Sequence, residues 1–325
     1  MKVLLTGANG FVGSHILDVL LAGGIPTAVL LRPASARQFL EHHLPALEIR
    51  TGSITEPQSL NTALAGITHV IHCAGCTKAV RASGFYEINH IGTRNVVEAI
   101  TAQPAVQRFL HISSLAVSGP GTPARPVRET DSPRPASIYG RSKLAAEEEV
   151  RRRSRVPTTI IRPPAVYGPR DQGFLPLFRA VNRHILPRPS SRQALSLVFA
   201  PDLARAIVAS LQNQAAVGRT YLVASPEIVT ARAMGETIAA QLDRWTLPCP
   251  VPSWALWPMC LAQEVTARLT GKPRLLNLQK FAEIRAPGWV CDPSLLKTEL
   301  GVECATPLKQ GVAKTLNWYR EERWL

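Results

Sequence analysis

"VLLTGANGFVGSHIL", residues 3–17, sets an apolar run before three glycines and then resumes apolar spacing. Gly7, Gly10 and Gly13 stand three apart, where a run that reads as a strand passes into one that reads as a helix. Glycine permits the tight turn such a junction needs and lets backbone N–H groups approach a ligand closely. The helix that follows points its first N–H groups, and the positive end of its dipole, at the same place. Together they form a cradle for a pyrophosphate, the chemistry of a dinucleotide site.

Further short apolar runs follow at 27–31, 47–50, 69–73, 108–113 and 158–162, besides the first at 2–6. Between them, 11–22, 34–43, 57–65, 85–102 and 136–153 carry helical patterning. Strand–helix alternation at this spacing predicts βαβ units: an α/β, Rossmann-type doubly wound parallel sheet. Its strands are nearly all apolar, as strands covered on both faces are. After residue 163 the rhythm breaks and prolines cluster. The chain thus divides into a dinucleotide-binding domain over 1–165, to which 196–212 returns, and a smaller mixed lobe for substrate over 166–195 and 213–325. The stretch "VPSWALWPMCLAQEV" (251–265) reads first as a core helix of that lobe, with a lipophilic pocket wall or a membrane contact as alternatives.

The 325 residues are 46% hydrophobic and 18% charged, a globular balance. No stretch approaches the ~20 apolar residues of a membrane span. The apolar run behind Lys2 stops at Thr6, too short for a secretory leader, so a cytoplasmic location is expected. Cys73 and Cys76 form a single C-x-x-C without a second pair or a histidine cluster, and no metal site is expected. The net charge of +14 is spread along the chain. Its one dense run, "RRRSR" at 151–155, follows "EEE" at 147–149, which predicts i,i+4 pairs Glu147–Arg151, Glu148–Arg152 and Glu149–Arg153 on a solvated helix end, not a nucleic-acid surface.

The end of the second strand discriminates between cofactors. Sites for NAD usually place an acid there to hold the ribose hydroxyls. Here "LLRPASAR" puts Arg32 in that place, with Ser35 behind it, and no carboxylate until Glu41. A cation and a hydroxyl suit the 2′-phosphate of NADP. Stacking of Arg32 on adenine would admit NAD as well.

In "ASIYGRSKLAAEEEV" (136–150), Tyr139 and Lys143 lie one helical turn apart on one face. A phenol, with an ordinary pKa near ~10, exchanges protons poorly at neutral pH unless its anion is stabilised. A neighbouring ammonium does that. Tyr139 could then hand a proton to a carbonyl oxygen as hydride reaches the carbon.

T-G-x-x-G-x-x-G together with Y-x-x-x-K resembles the short-chain dehydrogenase/reductase superfamily, and the whole chain resembles its extended branch. That branch includes nucleotide-sugar epimerases and dehydratases, dihydroflavonol reductases and 3β-hydroxysteroid dehydrogenases. "HVIHCAG", "YEINHIGTRNVVEA", "FLHISSLAVSG" and "IIRPPAVYGP" resemble further motifs of the branch, in order. The resemblance implies Ser114 as the group that orients the substrate oxygen, Tyr139 as acid/base, and Lys143 as the cation that lowers the tyrosine pKa and binds the nicotinamide ribose. It implies cofactor contacts from Asn9, Phe11 and Val12 beside the glycines, from Ser53 and Ile54, from Ala74 and Gly75, and from Pro163 and Val166. Asn89 either supports a water relay or braces its helix. Two positions depart from the branch: Ser53 stands where an adenine-binding Asp is common, and Leu195 where nucleotide-sugar enzymes often carry Arg. The resulting expectation is an NADP-preferring enzyme, with NAD possible, that reduces the ketone of a fairly apolar small molecule or oxidises the alcohol. The alternative is a nucleotide-sugar epimerase or dehydratase holding NAD, with a non-catalytic dinucleotide sensor a distant third. A homodimer through 85–102 and 136–153 is possible by analogy.

Overall fold

Successive strand residues face opposite sides of a sheet, so a doubly covered strand must supply two cores at once. The computed structural model describes residues 1–189, 193–271 and 278–325. In it β1 (Val3–Thr6), β2 (Thr27–Leu31), β4 (His69–His72), β5 (Arg108–Ile112) and β6 (Thr158–Arg162) do this, whereas the edge strand β3 (Glu48–Thr51) is only partly covered. Val3, Leu5, Val29, Leu31, Ile71, Leu110, Ile112 and Ile161 enter one core; Leu4, Ala28, Leu30, Val70, Phe109 and Ile160 enter the other. Helices Phe11–Ala22 and Ala200–Gln212 cover the first face. Helices Pro57–Ala63, Gly92–Thr101 and Ile138–Arg153 cover the second.

Four further strands are β7 (Ala165–Tyr167), β8 (Ile185–Pro189), β9 (Ala194–Phe199) and β10 (Thr220–Leu222). The large sheet runs β10-β6-β5-β4-β1-β2-β3, all parallel. Its order reverses between β1 and β4, and such a switch point opens a crevice at the carboxyl ends of the strands. The remaining strands, β11 (Ile228–Thr230), β12 (Leu247–Val251) and β13 (Gly288–Trp289), build the lobe: β11-β9-β13 with β7 on β9, and β12 on β8. A separate core around Phe178, Ile238, Leu316 and Tyr319 holds it together.

Several expectations need correction. Strand 196–199 does not join the large sheet; it pairs with β7, β11 and β13, while its following helix does return to pack on Phe11–Ala22. Conversely β10, expected in the lobe, is the seventh strand of the large sheet. The helix expected over 34–43 is absent; a 3₁₀ helix, Glu41–Ala46, follows a turn-rich segment there instead. The helix expected over 85–102 begins at Ala82 and carries a π-helical segment, Tyr86–Ile91. Arg152 pairs with Glu149 (3.0 Å), not with Glu148, whereas Arg151–Glu147 and Arg153–Glu149 form as expected. The 251–265 stretch is helical (Ser253–Thr270), yet Trp254 is 76% exposed, so it is no core helix.

Helix Ile138–Arg153 starts on Ser137, whose Oγ accepts from the Gly140 N–H at 3.1 Å. A buried ion pair fixes its middle. Arg162 on β6 donates to Glu147 through Nε (2.8 Å) and Nη2 (2.6 Å), and Ser113 Oγ donates to the same carboxylate. Burial alone would raise the Glu147 pKa, but the Arg162 and Ser113 hydrogen bonds outweigh it and hold the carboxyl below the ordinary 4.5. Removing one partner of such a pair strands the other, at a cost of about 3–5 kcal/mol. Glu147→Gln should therefore lower the unfolding free energy by about that much at pH 7, read by urea denaturation. Because the folded pKa is depressed, the stabilisation is present above the unfolded value and lost as pH falls through the folded one. Wild type should accordingly lose stability on acidification more steeply than Glu147→Gln.

Candidate active site

The crevice at the switch point is a cavity of ≈ 1060 Å³. Gly7, Asn9, Gly10, Phe11, Val12 and Gly13 line one end of it, with Arg32, Ser35, Ser53 and Ile54 beside them. Ala74, Gly75, Ser114, Tyr139, Lys143, Pro163 and Val166 line the rest of the floor. Every candidate cofactor and catalytic residue of the sequence thus borders one continuous space.

The glycine turn fits a diphosphate. Gly7 has φ +74°, and a Cβ there would lie 2.7 Å from the Ala74 nitrogen. A Cβ on Gly13 would come within 2.0 Å of the Gly7 carbonyl oxygen. Turn and helix are therefore closed on each other as no larger residue allows. Helix Phe11–Ala22 opens on Gly10, which has no side chain to occupy its N-terminus, and the cavity lies in front of it. Asn9 Nδ2 donates to the Ala36 carbonyl at 3.1 Å, which ties the 32–37 loop to the glycine turn. That loop holds the exposed Arg32 at the cavity edge. Ser53 also borders the space, but its Oγ is hydrogen-bonded to Thr55 Oγ1 at 2.8 Å.

At the other end, adjacent serines separate by strand alternation. Ser113 turns inward to Glu147; Ser114 caps the short helix Leu115–Ser118, accepting from the Ala116 N–H at 3.1 Å, and hydrogen-bonds Tyr139. Lys143 is buried and donates to the Ile112 carbonyl at 2.6 Å. Burial brings its pKa down to about 8, against the opposing pull of Cys73 and Glu147. The Tyr139 phenol is pushed up to about 12 by burial, which the Ser114 hydrogen bond only partly offsets. The sequence suggested a phenol already acidified by its lysine; in the resting site desolvation dominates instead. Proton exchange at Tyr139 consequently needs added positive charge or a developing alkoxide at the phenol.

Asn89 lies in the π-helical segment and is buried. Its Oδ1 accepts from the Cys76 N–H (2.7 Å); its Nδ2 donates to the Cys76 carbonyl (3.0 Å) and to Ser142 Oγ (2.9 Å). Both amide protons are used, so the bracing role, not a relay, is what the structure shows. It clamps the 73–76 loop to the Tyr139 helix. Cys73 and Cys76 are free thiols in that loop.

The rest of the wall comes, apart from Leu195, from residues the sequence did not single out. Phe85, Lys78, Asp171 and Phe174 border the cavity, as do Gln193, Glu283, Ile284 and Trp289 from the lobe, together with Leu195. Gln193 Nε2 donates to the Glu283 (3.0 Å) and Ala286 (2.8 Å) carbonyls, and Trp289 Nε1 to the Glu283 carbonyl (3.0 Å). These bonds hold helix Leu278–Arg285 against the cavity. Asp171 had a local signal: an Asp two residues before Gly173 is a turn former, and its carboxylate accepts from the Gly173 and Phe174 N–H groups. Glu283, Ile284 and Trp289 had none, since more than a hundred residues of chain separate them from the motifs they face.

A parallel sheet with its glycine turn at the switch point is the architecture of a dinucleotide-dependent enzyme. Residues 3–224 match the model of the NAD dependent epimerase/dehydratase family, and the chain belongs to that family. It is an NAD-dependent enzyme of the extended short-chain dehydrogenase/reductase type. It is 30% identical to a ceramide reductase of Caulobacter vibrioides over 99% of this chain and 96% of the relative. It is also 30% identical to a UDP-glucose 4-epimerase of Vibrio cholerae, over 83% and 85%. Among solved structures, a Thermus thermophilus UDP-glucose 4-epimerase in complex with NAD superposes with a TM-score of 0.77 at 23% identity, covering 98% of this chain and 99% of that one, and shares the fold.

Two measurements test this geometry. Gly13→Ala should abolish NADH binding, read by quenching of protein fluorescence, because the added methyl drives the helix away from the turn. Lys143 is an ammonium below about pH 8 and an amine above it. The dissociation constant for NADH should thus rise several-fold as pH increases through that value, and Lys143→Met should flatten the profile.

Proposed function

We propose that the protein is an NADPH-preferring ketoreductase acting on a fairly apolar small molecule. The observation that carries this is the wall facing the Ser114–Tyr139–Lys143 group: Phe85, Phe174, Leu195, Ile284 and Trp289. Leu195 is an aliphatic side chain where nucleotide-sugar enzymes of the branch often carry Arg, so the wall favours burial of a hydrocarbon over a diphosphate. The ceramide reductase relative, and a ketoreductase of Stigmatella aurantiaca 31% identical over 54% of this chain, support reduction.

In this reading the nicotinamide supplies hydride when bound. Ser114 donates a hydrogen bond to the substrate carbonyl oxygen and orients it. Tyr139 gives the same oxygen its phenolic proton as negative charge gathers there. Lys143 stabilises the phenolate left behind and holds the ribose. The phenol's elevated pKa keeps the proton in place until the oxygen becomes basic enough to take it. Arg32, at the cavity edge with Ser35, supplies the charge that selects a 2′-phosphate.

The Vibrio relative favours the competing reading, an epimerase with NAD held throughout the cycle. NADPH oxidation with a panel of ketones, beside analysis of any nucleotide released on denaturation, separates the two. Net NADPH consumption is expected, with Tyr139→Phe slower by about 10²-fold or more. Arg32→Glu should lower kcat/KM for NADPH by about 10–100-fold, the size of a lost charge-assisted hydrogen bond, and leave NADH turnover nearly unchanged. Stoichiometric NAD released from protein inert toward ketones would overturn the assignment.

A further inference from the structure

Helix Ser253–Thr270 turns its largest apolar side chains outward. Trp254 (76% exposed), Trp257 (48%), Leu261 (36%), Val265 (46%) and Leu269 (82%) follow at i, i+3, i+7, i+11 and i+15, one outward face. Gln263 and Glu264 are half-buried on the inward side, near Cys260 and Ala267. A soluble helix ordinarily does the opposite. The adjoining ribbon continues the apolar surface with Trp245 (72% exposed) and Leu247 (67%), and β12 sets Leu247 beside the exposed Ile185. The Trp245 ring is stacked on His184 at 4.3 Å, and its carbonyl is hydrogen-bonded to the His184 ring.

We propose that this face docks on an anionic lipid bilayer, and that the ketone reduced beneath it belongs to a membrane lipid; the second half rests on the ketoreductase reading. Among the described residues no helix is long and apolar enough to cross a membrane. An 18-residue helix, about 27 Å long, with tryptophans at one end of an apolar stripe suits the plane of the interface instead. Charge selects the partner. The chain carries +14, and from Arg244 to Lys280 the sequence holds five Lys/Arg against one acid, Glu264. Basic residues beside an interfacial helix are drawn to anionic headgroups, whereas two copies of this chain would set like charge against like. The inner side of the helix packs on Leu278–Arg285, which brings Glu283 and Ile284 to the cavity wall. One layer of helix therefore separates the lipid-facing surface from the apolar end of the cavity.

Co-sedimentation of the full chain with vesicles of equimolar phosphatidylcholine and phosphatidylglycerol, and with phosphatidylcholine alone, tests the docking. Binding to the anionic vesicles is expected, weakened by salt. The Trp254→Glu/Trp257→Glu double variant, and Leu269→Glu as a second, should each lose at least about tenfold in affinity with melting temperature unchanged. Equal binding by wild type and both variants would overturn the docking. So would a wild-type dimer, seen by light scattering, that the variants dissociate. For the substrate, turnover of a long-chain ketone presented in the same vesicles should fall with binding, while a water-soluble ketone is reduced at the wild-type rate. Unchanged turnover of the vesicle-borne ketone by a non-binding variant would overturn the lipid substrate. Failure of wild type on the soluble ketone strikes instead at the ketoreductase reading, since vesicle binding is scored without turnover.

Discussion

A carboxylate and a guanidinium, both cut off from solvent, lie beneath the helix that carries Tyr139 and Lys143. Glu147 and Arg162 meet through two parallel hydrogen bonds, Ser113 completes the carboxylate, and Arg162 Nη1 reaches Ser118 Oγ at 3.1 Å. Four segments thereby share one set of bonds: the Tyr139 helix, β6, the end of β5 and the short helix headed by Ser114. In a low-dielectric interior such a pair tolerates little misalignment, since displacement of either partner exposes the desolvation cost of the other. The relative position of Ser114 and Tyr139 is a consequence. Ser113 points into the pair, and alternation turns Ser114 the other way, into the cavity.

The resting site is electrostatically tense. Burial lowers the lysine pKa and raises that of the phenol, so the phenol resists the charge that proton transfer would give it. A hydroxyl held in this way donates only to a strong base at a defined place. The proposed reduction offers one in the oxygen that gains charge as hydride arrives. Among the described contacts, the Lys143 ammonium is held by the Ile112 carbonyl and not by the phenol.

Two apolar regions of the lobe have different physical status. The core around Phe178 and Tyr319 is closed, and the two rings meet edge to face at 5.0 Å. The outer face of Ser253–Thr270 exposes Trp254, Trp257, Leu261, Val265 and Leu269 to solvent, with Arg268 among them. Contiguous exposed patches of this kind are costly in water and mark surfaces that work against another phase or partner. Here the patch lies one helix away from the cavity that the proposed chemistry uses.

Much of the nucleotide half was legible from residue order alone. Doubly apolar strands, the glycine triplet after β1 and the one-turn spacing of Tyr139 and Lys143 are local patterns, and local sterics and hydrogen bonding are enough to read them. Wherever assembly overrides local preference, that reading failed. β9 and β10 are short runs of similar character, and which sheet each joins depends on the chain path, not on its own residues. The acidity of Tyr139 followed from burial, which a spacing rule does not contain. Glu283, Ile284 and Trp289 reach the cavity because the lobe folds back over 90 or more residues of intervening chain. The sequence by itself determined the cradle and the pair of groups one turn apart. Tertiary structure decided their protonation, the wall that faces them and the side on which the tryptophans of Ser253–Thr270 lie, because desolvation and long-range contact arise only when distant segments pack.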